Sequence, residues 1–186
     1  MADRERAYEA SPAAETTTLK LVSDPELRKL LDYWRSKRQG NLMPSKDDID
    51  PLEIGWALSR IFLTDYRPED GFTYRLAGAD ISGVFGRGNL KGLNLREVVK
   101  PERLEAIEKA WMQVVEKRAV VCMKGMVYLG VDRTAIGERL LLPLAGQPEG
   151  PVTGLLGMTV CEWVPSDVPR QVKLSRADYV AVSDIP

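Results

Sequence analysis

The apolar side chains along this chain recur first with a helical period, then with a strand period, and then repeat that order over longer elements. Leu27, Leu30, Leu31 and Trp34 fall at i, i+3, i+4 and i+7, which places them on one helix face. Asp24 and Pro25 come just before them, a capping side chain and a first-turn proline, while Lys37 and Arg38 stand at the carbonyl end and Gly40 beyond it. The pattern predicts a helix over 24–39. Residues 61–66 and 72–77 are rich in β-branched and aromatic side chains, and Pro68 and Gly71 lie in the link between them. That is a hairpin. In its second strand Phe72, Tyr74 and Leu76 alternate with Thr73 and Arg75, so one face is directed to a core.

A helical middle follows. Asp50-Pro51-Leu52-Glu53 has the order cap, proline, helix former, acid, which predicts a short helix before the hairpin. After the hairpin, 78–85 reads as a short helical turn and 92–99 as another that directs Leu95, Val98 and Val99 inward. Pro101 opens the longest helix, to about residue 117, with a seam of Leu104, Ile107, Trp111 and Val114 and a Glu105–Lys109 pair on the wet side. Three strands, 119–129, 134–144 and 152–164, are joined by links too short for parallel crossovers and form an antiparallel meander. Residues 1–22 read as a flexible arm, 23–164 as one domain and 165–186 as a polar tail. The hairpin and the meander together predict one sheet, with the intervening helices across one face.

Composition narrows the chemistry. At 186 residues, 44% hydrophobic and 28% charged, the chain supports a single core. A net charge of −1 gives no field that would gather nucleic acid or an anionic membrane, and neither is expected as a partner. No apolar run is long enough to span a bilayer and the first residues hold no apolar signal core, so a cytoplasmic location is expected. The chain contains no histidine, which excludes Ser/His/Asp and Cys/His nucleophiles, His-bearing zinc sites and a proximal-His haem. Cys122 and Cys161 read as small buried side chains. The glycines Gly86, Gly88 and Gly92 lack phosphate-loop spacing, and Asp47, Asp48, Asp50 and Glu53 read as helix caps rather than a calcium loop. No catalytic residue, metal or cofactor is expected.

Several phrases carry a resemblance: Leu31-Asp32-Tyr33-Trp34, Met43-Pro44-Ser45, Asp50-Pro51-Leu52-Glu53-Ile54, Arg60-Ile61-Phe62-Leu63, Phe72-Thr73-Tyr74-Arg75-Leu76-Ala77-Gly78, Phe85-Gly86, Gly92-Leu93-Asn94-Leu95 and Leu141-Leu142-Pro143-Leu144. In this order the chain resembles the PAS sensory fold, in the branch of mostly stand-alone bacterial PAS-like proteins. The resemblance implies an α+β domain: a five-stranded antiparallel sheet in the order 2-1-5-4-3, helices closing over one face, and a flanking amino-terminal helix. It puts Cys122 and Cys161 on strands separated by a third, which disfavours a disulfide. It also implies that a flavin-thiol photocycle is absent, because Leu95 stands where such members carry cysteine. Haem is disfavoured for want of a histidine ligand.

The resemblance further implies a stand-alone cytoplasmic sensory or protein-interaction module with a pocket between sheet and helices that takes a small organic ligand, an organic acid or another metabolite rather than a chromophore. Candidate ligand-binding residues are Phe72, Tyr74, Phe85, Trp111, Met126, Tyr128 and Met158 as walls, with Arg75 or Arg139 to hold a carboxylate. The stripe Leu27, Leu30, Leu31 and Trp34 must be buried on its own sheet or against a second copy, and a homodimer is expected through it; a signalling protein is the expected partner. The alternative is a small-molecule enzyme on a cone-shaped α+β fold, with Asp65, Glu97 or Glu138 as a buried general base.

Overall fold

The computed structural model describes residues 21–129, 133–147, 149–165 and 176–185. Helix α1 (Pro25–Ser36) begins where the carboxylate of Asp24 accepts hydrogen bonds from the Glu26 and Leu27 amides. The chain leaves it through Gln39 and Gly40, both at positive φ. Strands β1 (Ile61–Arg67) and β2 (Gly71–Ala77) form the hairpin, with Gly71 at φ +77°. Three helices follow: α2 (Ala79–Val84), α3 (Leu95–Val98) and α4 (Pro101–Lys117). Asn94 and Glu97 make a reciprocal capping box on α3. The long strands are β3 (Ala119–Leu129), β4 (Arg133–Ala145) and β5 (Val152–Pro165), and a further strand, β6, spans Arg176–Ala181.

All six strands form one antiparallel sheet in the order β2-β1-β5-β4-β3-β6. The expected five-strand order is present, and the sixth strand corrects the reading of 165–186 as a tail. Residues 176–181 pair along β3 from Ala119↔Ala181 to Lys124↔Arg176, and Arg38 Nη1 donates to the Ile185 carbonyl at 2.8 Å. The rest of that segment, 166–175, lies outside the described residues, as do residues 1–20 of the expected arm. Leu21 and Val22, at the end of that arm, are buried in the core.

The phrase at 50–53 also departs from expectation. It forms a turn, not a helix, with Asp50 Oδ1 accepting from the Leu52 amide and Leu52 84% exposed. The capping box sits earlier, where Ser45 and Asp48 close a 3-10 turn at Lys46–Asp48. Glu53 pairs instead with Lys37 at 2.5 Å.

Strand alternation gives the sheet two faces of different character. Cys122 pairs with Leu140 and Lys124 with Glu138, whereas Met123 pairs with Arg139, so Glu138 and Arg139 point to opposite sides. The back face takes α1: the Ser23 amide donates to Glu138 Oε1 at 2.7 Å, and Trp34 Nε1 donates to the Pro143 carbonyl at 2.8 Å. Leu27, Leu30, Leu31 and Trp34 are all buried there within the single chain. Of the two expected ways of burying this stripe, its own sheet is the one that covers these four side chains. Each large side chain so buried stabilises the fold by roughly 1.5–3 kcal/mol.

The front face takes α2, α3 and α4. Phe62 on β1 lies over Gly157 on β5, where an added Cβ would come within 2.1 Å of the ring. With no side chain beneath it, Phe62 stacks on Trp111 of α4 at 5.1 Å and 9°. Phe72 meets the same indole edge-on at 5.1 Å and Tyr74 at 6.3 Å. These rings anchor the long helix to the hairpin and set the floor of a cavity beside them.

Candidate functional site

Between the front face and helices α2, α3 and α4 lies a cavity of about 200 Å3. Its apolar wall includes Phe62, Tyr74, Phe85, Trp111 and Tyr128, with Ile81, Val84, Leu95 and Ile107 from the helices. Its charged groups are all cationic: Arg139 from β4, and Lys100 and Arg103 from the start of α4. No aspartate or glutamate lines it among the described residues. A second, more open chamber of about 430 Å3 runs along α4 and β3, lined by Met123, Met126 and Gln113 and reaching Ala177 on β6. The two chambers share Arg103, Ile107, Val127, Leu129 and Arg139 as a common wall.

Arg139 is the group that sets the electrostatics. It is 4% exposed. Its Nε donates to Thr159 Oγ1 at 2.8 Å and its Nη2 to the Val127 carbonyl at 3.3 Å. The guanidinium lies 4.5 Å over the Tyr128 ring, and Tyr128 Oη in turn lies 3.3 Å from Thr159 Oγ1. These neutral contacts fix its orientation and use only part of a five-donor fork. No carboxylate pairs with it among the described residues. A buried cation in that position is incompletely compensated.

The neighbours deepen that imbalance. Burial, followed by the positive charge of Arg139, lowers the Arg103 pKa from its ordinary value. Lys100 caps α4 and Arg103 sits in its first turn, where the helix dipole already presents positive potential. Glu102 in the same turn offsets part of this. Burial, reinforced by nearby Tyr128, raises the Tyr74 phenol above its usual range despite the opposing pull of Arg139. Tyr74 therefore stays neutral. The arrangement supplies an apolar, ring-lined chamber with a cationic end, suited to an anion carried on a small apolar body.

The structure brings together Tyr74, Phe85, Trp111, Tyr128 and Arg139 from the expected set, and places Met126 in the second chamber. Three expected residues stand elsewhere. Phe72 is core packing behind Trp111. Met158 pairs with Leu140 and so points to the back face. Arg75 lies 3.9 Å from Asp65 on a half-exposed surface pair. Lys100, Arg103 and Phe62 were not anticipated. For the first two, the available signal was a pair of basic residues at a helix start, where acids are the favoured occupants.

None of the three carboxylates considered for acid–base chemistry lines either chamber. Asp65 bonds Lys46 at 2.6 Å, Glu97 accepts from the Asn94 amide at 2.6 Å, and Glu138 lies on the back face. Glu138 there accepts from Cys122 Sγ at 3.1 Å, and burial together with this bond pushes the Cys122 thiol up.

Helical roof, antiparallel sheet and roofed cavity agree with one family. The family model described as PAS domain matches residues 22–160, which is most of the chain. The chain belongs to the PAS domain family. No curated protein and no solved structure matches it. Membership of this family supports a sensory or interaction module in the general sense. The PAS match ends inside β5 and does not include β6. No helix among the described residues is long and apolar enough to cross a membrane.

Proposed function

We propose that this PAS domain is a cytoplasmic sensory module whose signal is a small organic anion bound in the front-face cavity. One observation carries the reading: Arg139 is buried in the cavity wall with neutral partners and, among the described residues, no carboxylate, beside a second arginine. An anion that enters completes the pairing the chain leaves open, and a bidentate carboxylate matches the free part of the guanidinium. The ligand acts only through unequal affinity for two states of the domain. Arg139 also holds the carbonyl of Val127, the extra residue at the β3 bulge between Met126 and Tyr128. Anion binding therefore draws on the same guanidinium that steadies this bulge. Beyond the bulge, the half-exposed Leu129 and Trp163 continue the wall outward. A signalling protein partner reads the change there.

The test is thermal unfolding across a panel of small carboxylates and their neutral amides, with native mass spectrometry for stoichiometry. Carboxylates at 100 times their Kd stabilise by about 2.7 kcal/mol, amides do not, and Arg139→Gln abolishes the response. A broad panel without one stabilising anion ends this reading.

A further inference from the structure

We infer that the ligand is a one-ring aromatic acid, a flat ring bearing a single carboxylate, rather than a chain-like or dicarboxylic acid. The inference rests on the anion-sensing reading above and narrows it to a ligand class. The first argument is size: the inner chamber holds about 200 Å3, close to the roughly 150 Å3 that admits benzene in an apolar cavity. It leaves room for a ring and its carboxylate. The second is wall chemistry: Phe62, Tyr74, Phe85, Trp111 and Tyr128 all line it, and aromatic faces and edges favour a flat ring over an alkyl chain. They are braced against one another, Phe62 stacked on Trp111 at 5.1 Å and Phe85 edge-on to Tyr128 at 6.2 Å, so the chamber is pre-shaped.

The third argument is charge placement. Arg103 and Arg139 lie on the wall the two chambers share, Lys100 stands three residues before Arg103 at the start of α4, and no carboxylate lines the inner chamber among the described residues. A ligand with one anionic end and an apolar body satisfies both ends of the chamber. A dicarboxylate would bury its second charge among rings with no cation beside them, which is costly. Tyr128 joins the two requirements, since its ring lines the chamber and also carries the Arg139 guanidinium at 4.5 Å.

Four probes of similar size separate the possibilities by calorimetry on the full chain: benzoate, cyclohexanecarboxylate, hexanoate and benzamide, with succinate as the dicarboxylate. Benzoate is expected to bind at least tenfold tighter than cyclohexanecarboxylate or hexanoate, with benzamide and succinate weaker still. Tyr128→Leu is expected to lower affinity for carboxylates in general, because its ring carries the Arg139 guanidinium, and to shrink the benzoate preference over hexanoate to about threefold or less. Equal or tighter binding of hexanoate or succinate would overturn the aromatic assignment and leave the anion reading standing. Failure of every carboxylate would remove both. The wild-type series decides the matter even where the Tyr128 variant does not fold.

Discussion

Glu138 and Arg139 are neighbours in β4, both buried and both charged, and they meet opposite fates. Glu138 faces the back, where the Ser23 amide and Cys122 thiol donate to it and Lys124 Nζ lies 3.9 Å away. Lys124 also bonds the Ser23 side chain, closing the group on itself. Arg139 faces the front and receives a hydroxyl, a carbonyl and a ring, but no opposite charge among the described residues. The difference separates structure from function on one strand. A charge whose partners all come from the chain holds the fold together, and a charge left partly open in a cavity wall marks a place for something from outside.

The sharpest way to break that contrast is to delete each charge in turn. Glu138→Ala takes the acceptor from the Ser23 amide and the buried Cys122 thiol and the opposite charge from Lys124, and should cost about 3 kcal/mol. Arg139→Met removes an incompletely compensated cation at the expense of its neutral bonds, so stability should stay within about 1 kcal/mol of the parent while anion response disappears. Urea midpoints at unchanged slope read both. If Arg139→Met proved the more damaging, the division of labour drawn here would be wrong.

A smaller effect tests whether the front face is pre-shaped. Gly157→Ala places a Cβ 2.1 Å from the Phe62 ring and should cost about 2 kcal/mol through overpacking. The near-ultraviolet signal of the Phe62–Trp111 stack should change with it. Gly83→Ala in α2 meets nothing within 4 Å and should be neutral or stabilise by a few tenths to about 1 kcal/mol.

The last effect comes from pH and belongs to the back face. The Cys122 thiol is pushed up in the folded protein by burial and by Glu138, with Lys124 opposing and Asp178 reinforcing. Its contribution to stability is complete below the unfolded thiol value of about 8.5 and is lost as pH rises above it. The expected slope is a loss of up to about 1.4 kcal/mol per pH unit. Urea unfolding between pH 8 and 10 should show a shallower decline in Cys122→Ala than in the parent.

Local signals in the sequence were enough for α1, α4 and the three long strands. Asp24, Pro25 and Pro101 act on their own first turns, and β3 begins and ends at Ala119 and Leu129 as its composition implied. Long-range pairing hid the rest. β6 is short, carries Arg176, Asp178 and an exposed Tyr179, and exists because β3 offers it an edge. Met158 looked like a wall residue, yet its face depends on a register visible only once β4 and β5 are paired. Arg103 stands one turn before Ile107 on the flank of the helical seam, and only the position of α4 over the sheet shows that it lines the cavity. At 50–53 a sound capping phrase lost to Ser45 and Asp48, which took the box, and to Lys37, which took Glu53.

The sixth strand bears on where this domain can be cut. A piece trimmed to the matched residues 22–160 would stop inside β5 and strip β3 of the neighbour that now hides its outer hydrogen-bonding groups. That bare margin would invite strand exchange between copies, so self-association by such a fragment would reflect the trimming rather than the native molecule.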